Sequence, residues 1–208
     1  DRRLMLMAGI SGGFGSVFGT PAAGFVFGME VQALGRMRYE GLVPCLIAAF
    51  VGDLVTRGLG VPHAHYPQLP AAAIDPVLLL KVALAGIACG LTSYAFIELT
   101  HAVKHVVARI PSAPMRPALG GVIVLGMTAA LGTQNYLGLS LPLIQRSVRG
   151  EEIALLAFLF KLVFTAVTLG SGFLGGEVTP LFVIGAALGH ALGRALGVDP
   201  AFMAMLGF

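Results

Sequence analysis

One glutamate lies inside a long apolar part of this 208-residue chain. Glu177 separates residues 162–176 from residues 178–193, and neither stretch contains an Asp, Glu, Lys or Arg. Two glycines precede it, and Thr179 and Pro180 follow it. Glycines followed by an early proline are typical of a helix start. The start of a helix has unpaired N–H groups and the positive end of its dipole, which together bind anions. The motif therefore predicts a site for a small anion.

The residue types of the motif predict a division of roles. Backbone N–H groups and the Thr179 hydroxyl would replace the hydration of the anion, and glycines would let the backbone approach it. The predicted anion-binding residues are Gly175, Gly176, Val178 and Thr179. Glu177 cannot attract an anion while ionised, but burial favours the protonated carboxyl, which predicts proton transfer or gating. The alternative is structural, with Glu177 bound to the helix-start N–H groups or paired with a cation such as Lys161. Lys161 would then either neutralise Glu177 or extend toward the surface.

The composition predicts an integral membrane protein. The chain is 57% hydrophobic and 11% charged, with a mean hydropathy of +0.90, whereas soluble domains carry about 25% charged residues. The net charge of +3 is scattered, which argues against nucleic acid as a partner. Cys45 and Cys89 lie in apolar runs and are expected to be buried. No nucleophile–base pair or metal cluster can be assembled, so neither an enzyme nor a cofactor or metal site is expected.

Four other polar residues are expected to have structural rather than functional roles. Asp53 and Arg57 are four residues apart, as in an ion pair along a helix. His190 is expected to be a buried histidine with its hydrogen bonds satisfied. His63 is expected to face only solvent.

Apolar segments broken by Gly and Pro predict the helices. Short, interrupted hydrophobic segments are typical of transporters whose half-helices meet near the midplane of the membrane. The predicted helices are residues 4–19, 21–35, 41–59, 77–109, 117–133, 138–146, 152–170 and 178–196. The chain begins without Met and ends in another apolar segment, so we expect it to be the middle of a longer protein. Basic residues at 36–38 and 104–116, and none at 61–76, predict that 61–76 is extracytoplasmic.

Two motifs resemble the CLC family of chloride channels and proton-coupled antiporters. The sequence GGEVTP at 175–180 is similar to the third anion-site motif, in the form found in the bacterial fluoride/proton antiporter branch. In that branch the Glu and Thr belong to the transport pathway. Residues 14–30 resemble the helix pair that ends in a cytoplasmic-side carboxylate, which would be Glu30. Val31 stands where many chloride/proton exchangers carry an inner proton-transferring Glu, which raises the importance of Glu177.

The resemblance implies an all-α integral membrane protein with the CLC-type inverted-repeat fold, broken and half-membrane helices, and truncation at both ends. Residues 1–60 would end the first inverted half, 61–76 would be an extracytoplasmic linker, and 77–208 would start the second half. The gating glutamate and pore tyrosine of the family would lie outside residues 1–208.

The implied function is transport of a small halide, with fluoride exchanged for protons. The alternatives are a chloride channel or chloride/proton antiporter of the same fold, and a non-transporting membrane scaffold. The resemblance also implies a multi-pass protein of the cell inner membrane, embedded in the lipid bilayer and forming a homodimer through residues 21–60.

Overall fold

The computed structural model describes residues 1–32, 36–63 and 75–208. Their regular structure consists of nine α-helices and one 3₁₀ turn, with no strand among these residues, so the predicted all-α class is confirmed. The 3₁₀ turn, Tyr39–Gly41, directly precedes α3. The α-helices are α1 (Arg2–Phe18), α2 (Pro21–Glu30), α3 (Leu42–Gly58), α4 (Pro76–Ala108), α5 (Met115–Leu131), α6 (Leu141–Val148), α7 (Ala157–Gly170), α8 (Val178–Leu196) and α9 (Pro200–Gly207).

Prolines and carboxylates fix where several helices begin. Helices α2, α4 and α9 start on a proline, whose φ is already set for the first turn. Asp75 caps α4 by accepting a hydrogen bond from the Leu78 N–H at 2.6 Å. Asp199 caps α9 in the same way through the Ala201 N–H at 2.8 Å. These caps satisfy amides that have no acceptor within the helix.

The predicted helices occur with shifted ends. The segment predicted over 21–35 ends as a helix at Glu30, and residues 33–35 lie outside the described part of the chain. The helix predicted over 152–170 starts at Ala157. Ile153 is buried in the same apolar cluster as Ala157, but its backbone is not helical. The apolar side chain of Ile153 therefore serves core packing and does not indicate a helix. Of the predicted linker 61–76, residues 64–74 lie outside the described part.

The chain divides into two compact units, Asp1–His65 and Tyr66–Phe208. In the first unit, glycines bring the helix backbones close together. A Cβ placed on Gly24 of α2 would lie 2.7 Å from the backbone N of Gly15 in α1. A Cβ on Gly52 of α3 would lie 2.9 Å from the Gly12 carbonyl oxygen of α1. Small residues at helix contacts are the usual packing device of membrane helices.

A polar cluster ties the end of α3 to the turn between α1 and α2. The predicted pair is confirmed, because Arg57 Nε lies 2.9 Å from Asp53 Oδ2 and Asp53 is buried. The expectation for His63 is wrong, since its Nε2 donates to the Ser16 carbonyl at 2.7 Å and lies 4.0 Å from Asp53 Oδ1. Gly19, at φ 66°, makes this possible, because a Cβ there would lie 2.8 Å from Cγ of the His63 ring.

The second unit is built around α7 and α8. Its main apolar cluster joins α6, α7, α8 and α9 with Tyr136 and Ile153 from the connecting segments. Gly185, Gly189 and Gly193 form a stripe on α8 that faces α9. A Cβ on Gly193 would lie 2.8 Å from Pro200 Cα, and a Cβ on Gly189 would overlap the Met203 carbonyl. The stripe therefore allows α9 to lie directly against α8.

His190 of α8 is buried, as expected. Its side chain is 2% exposed, and its Nδ1 lies 3.2 Å from the Ser147 carbonyl oxygen. Because a carbonyl can only accept, Nδ1 carries the proton in this contact.

Among the residues that the structure describes, three segments are long and apolar enough to cross a membrane: Tyr39–Gly58, Pro76–Ala108 and Val178–Leu196. Helices α5 and α7 are apolar but shorter. In the second unit, 56% of the residues in the most apolar part of α8 are buried, against 6% in the corresponding part of α4. Helix α8 is therefore an interior helix of its unit, whereas α4 presents its apolar side chains outward.

Candidate functional site

Helix α8 begins inside the GGEVTP motif. Glu177 is its N-cap residue, and the first helical hydrogen bond runs from the Leu181 N–H to the Glu177 carbonyl at 3.1 Å. The N–H groups of Val178 and Thr179 therefore have no acceptor within the helix. Pro180 has no N–H to satisfy, and it is buried. Two amides and the positive end of a 19-residue helix thus meet at this point.

A cavity of about 200 Å³ lies beside this helix start. Gly175, Gly176 and Pro180 form the part of its wall that belongs to the motif. One face of α7 and the segment 136–139 form the rest. Lys161, Thr165 and Thr168 of α7 reach it together because their spacing of three to four residues places them on one helical face.

Lys161 is buried and bound to the backbone of the adjacent segment. Its side chain is 2% exposed, and Nζ donates to the Gly138 carbonyl at 2.6 Å and to the Tyr136 carbonyl at 3.1 Å. Both interpretations from the sequence are wrong, because the ammonium neither pairs with Glu177 nor extends toward the surface. Gly138, at φ 56°, bends the segment so that two carbonyls point at one ammonium.

Glu177 is exposed, so the burial on which its predicted proton role is based is not found in this structure. Its side chain makes no capping hydrogen bond to the start of α8. The structural alternative, a Glu177 held by the helix-start amides, is therefore absent from this structure. Thr179 is half-buried, and its hydroxyl makes no hydrogen bond to the described residues. An unused donor next to two unused amides suits an anion.

The structure brings together only part of the predicted anion-binding set. Gly175 and Gly176 line the cavity, whereas Val178, Thr179 and Glu177 are not part of its described wall. These three lie on the helix start next to Pro180, which does line it. Glu30 belongs to the other unit, where it is the last residue of α2 and is exposed.

Sequence reasoning missed the segment between α5 and α6. Tyr136 and Gly138 contribute the carbonyls that hold Lys161, and both residues line the cavity. The available signal was Lys161 itself, because a lysine in an apolar helix needs hydrogen-bond acceptors nearby. Nothing in the sequence indicates that residues more than 20 positions away supply them.

The electrostatics of the cavity are positive. Its described wall contains Lys161 and no Asp or Glu. The nearby helix start adds the positive end of a dipole, equivalent to about half an elementary charge. The described residues contain no group of three His, Cys, Asp or Glu side chains that could hold a metal ion. The arrangement can hold a small anion.

Comparisons with known proteins identify the family of the chain. The voltage gated chloride channel family matches residues 1–208. A chloride/fluoride channel protein of Pseudomonas syringae pv. tomato is 46% identical over 215 aligned positions, which cover 100% of this chain and 47% of that protein. The voltage-gated ClC-type chloride channel ClcB of Shigella boydii is 30% identical, over 94% of this chain and 47% of that protein.

A solved structure is also similar. The crystal structure of a CLC-type fluoride/proton antiporter superposes with a TM-score of 0.92 at 32% identity, covering 98% of this chain and 52% of that chain. This match confirms the predicted CLC-type helical fold. The chain spans about half the length of the relatives it matches. Residues 1–208 belong to the voltage-gated chloride channel (CLC) family.

Proposed function

We propose that the full-length protein moves a small halide anion across a membrane and exchanges fluoride for protons. The observation that carries the proposal is the start of α8, where two amides without helical acceptors and the Thr179 hydroxyl lie beside a cavity. The described wall of this cavity contains no Asp or Glu. The similarity to a chloride/fluoride channel protein and to a fluoride/proton antiporter supports fluoride as the ion. The protein is on this account a transporter rather than an enzyme.

The proposed roles follow the chemistry of the groups. Gly175, Gly176, Val178 and Thr179 hold the anion through backbone N–H groups and the Thr179 hydroxyl. Glu177 carries or gates the proton, and its side chain makes no capping hydrogen bond to the start of α8. Glu30 is the proposed cytoplasmic-side carboxylate. Its exposed position at the end of α2 is consistent with contact to water.

Chloride transport is the second candidate. The 30% identity to ClcB favours it, because that relative is described as a chloride channel. A non-transporting membrane scaffold is the third, and it requires neither free amides nor a positive cavity. The three candidates differ in the ion flux that the purified protein supports.

We also propose that the protein is a multi-pass protein of the cell inner membrane and forms a homodimer through residues 21–60. Residues 1–60 would end one inverted half, with 61–76 as an extracytoplasmic linker and 77–208 starting the second half. Support comes from α3, whose apolar side chains at Val43, Ile47, Phe50 and Leu54 are 44–66% exposed. Lipid or a partner subunit would cover such a face.

The test is ion flux by the full-length protein in liposomes. Fluoride efflux is followed with a fluoride electrode, and proton movement with a pH-sensitive dye inside the vesicles. We expect a fluoride gradient to drive protons in the opposite direction, with chloride much less effective. Equal fluoride and chloride transport would favour the chloride candidate, and no flux of either ion would favour the scaffold.

A further inference from the structure

Lys161 places a buried positive charge next to the cavity without a negative partner. The ion pairs of the described residues do not involve Lys161, and its two hydrogen-bond partners are neutral carbonyls. A buried charge is costly unless it is paired as well as hydrogen-bonded. The missing partner is therefore expected to be a ligand.

The geometry leaves one donor for that ligand. An ammonium group has three N–H donors, and Nζ gives two of them to Tyr136 and Gly138. The other polar side chains of α7 in the wall are already committed as donors. The Thr165 hydroxyl donates to the Lys161 carbonyl at 2.8 Å, and the Thr168 hydroxyl donates to the Phe164 carbonyl at 2.7 Å.

We propose that the Lys161 ammonium is the fixed counter-charge of a halide bound in the cavity beside the start of α8, and that it sets halide affinity. The proposal rests on the halide transport proposed above and adds a charged residue to its site. The anion would face Lys161 on one wall and the backbone of Gly175 and Gly176 on the other. Proton exchange is not assigned to Lys161.

The chemistry of lysine determines what it can select. An ammonium is a compact point charge, so it attracts fluoride and chloride by charge rather than by shape. The cavity volume of about 200 Å³ exceeds that of a single water, about 30 Å³ in the liquid, so a halide fits with some of its water. Lys161 should therefore raise the affinity for both halides.

The test compares halide binding by four forms of the full-length protein. Binding of sodium fluoride and of sodium chloride is measured by calorimetry on purified protein in detergent. Lys161→Met removes the charge and keeps the length of the side chain, and Lys161→Arg keeps the charge. Lys104→Met is the matched control, because Lys104 is an exposed lysine of α4 outside the cavity wall.

We expect Lys161→Met to weaken both halides by about tenfold or more, the usual loss for a hydrogen bond to a charged group. Both affinities should fall, since the ammonium attracts either halide by its charge. Lys161→Arg should retain most of the affinity, and Lys104→Met should match the unmodified protein. Unchanged halide binding by a folded Lys161→Met protein would overturn the proposal, as would a loss confined to one halide.

A second experiment covers the case in which Lys161→Met does not fold. Lys161→Cys is treated with a methanethiosulfonate reagent that attaches an aminoethyl group, and with one that attaches a neutral methyl group. Recovery of halide binding only with the aminoethyl group supports the proposal, and equal binding after both treatments overturns it. If halide binding depends on the ammonium but the protein shows no ion flux, the transport function is refuted while the role of Lys161 stands.

Discussion

The substitution Glu177→Gln separates a proton-carrying glutamate from a structural one. The side chain is exposed and makes no capping hydrogen bond, so folding loses only its attraction to the start of α8. Such an attraction is worth about 0.3–1 kcal/mol at an exposed helix end. A change of that size lowers the melting temperature by no more than about 4 °C in a domain of 150–250 residues. The variant should therefore fold, and any large effect should appear in transport.

The assay is paired fluoride and proton flux by the full-length protein in liposomes. If Glu177 carries the proton, proton movement should fall to the level of protein-free vesicles, because glutamine cannot take up a proton at that position. Fluoride flux should stay within about threefold of the unmodified protein, a difference of about 0.6 kcal/mol. Glu152→Gln is the control, since it neutralises an exposed carboxylate between α6 and α7. Unchanged coupling in Glu177→Gln would refute the proton role.

Three further predictions test the site and its supports. Thr179→Val should weaken fluoride binding by about three- to tenfold in a calorimetric titration, because it removes an unused hydroxyl donor and keeps the shape of the side chain. Unchanged fluoride binding would show that Thr179 is not part of the site. Asp53→Ala should lower the free energy of unfolding by about 1–2 kcal/mol, since it breaks the pair with half-exposed Arg57. Thermal unfolding in detergent measures this loss of stability. The halide preference should stay the same. Gly189→Ala should destabilise the protein by about 1–3 kcal/mol, because the added Cβ would clash with α9. Gly126→Ala, in open space on α5, should stabilise the protein by about 0.5–1 kcal/mol. Equal effects of the two substitutions would contradict the close packing of α8 and α9.

The helices could be predicted because their signals are local. Apolar runs, early prolines and glycines at helix ends mark α3, α4 and α8 within one or two residues. The start of α7 could not be placed, because Ile153 is apolar for packing while its backbone is not helical. Apolar content alone does not distinguish a helix from an extended segment inside a core.

The anion motif could be predicted, but its surroundings could not. Residues 175–180 are contiguous, so their amides and glycines meet wherever α8 begins. The environment of Lys161 depends on two carbonyls of a distant segment, and that of His63 depends on the carbonyl of Ser16. Such contacts between distant positions come from the packing of helices, and neither residue type reveals them. Both corrections concern side chains with N–H donors that the fold supplies with backbone acceptors.

Locating a halide in the full-length protein tests the central claim most directly. Crystals grown with sodium bromide, measured at the bromine absorption edge, give the position of the ion by anomalous scattering. We expect a peak at the start of α8, within about 3.5 Å of the N–H nitrogen of Val178 or Thr179, or of the Lys161 ammonium. If the protein transports halide but all of its bromide peaks lie away from this helix start and its cavity, the proposed anion site is contradicted.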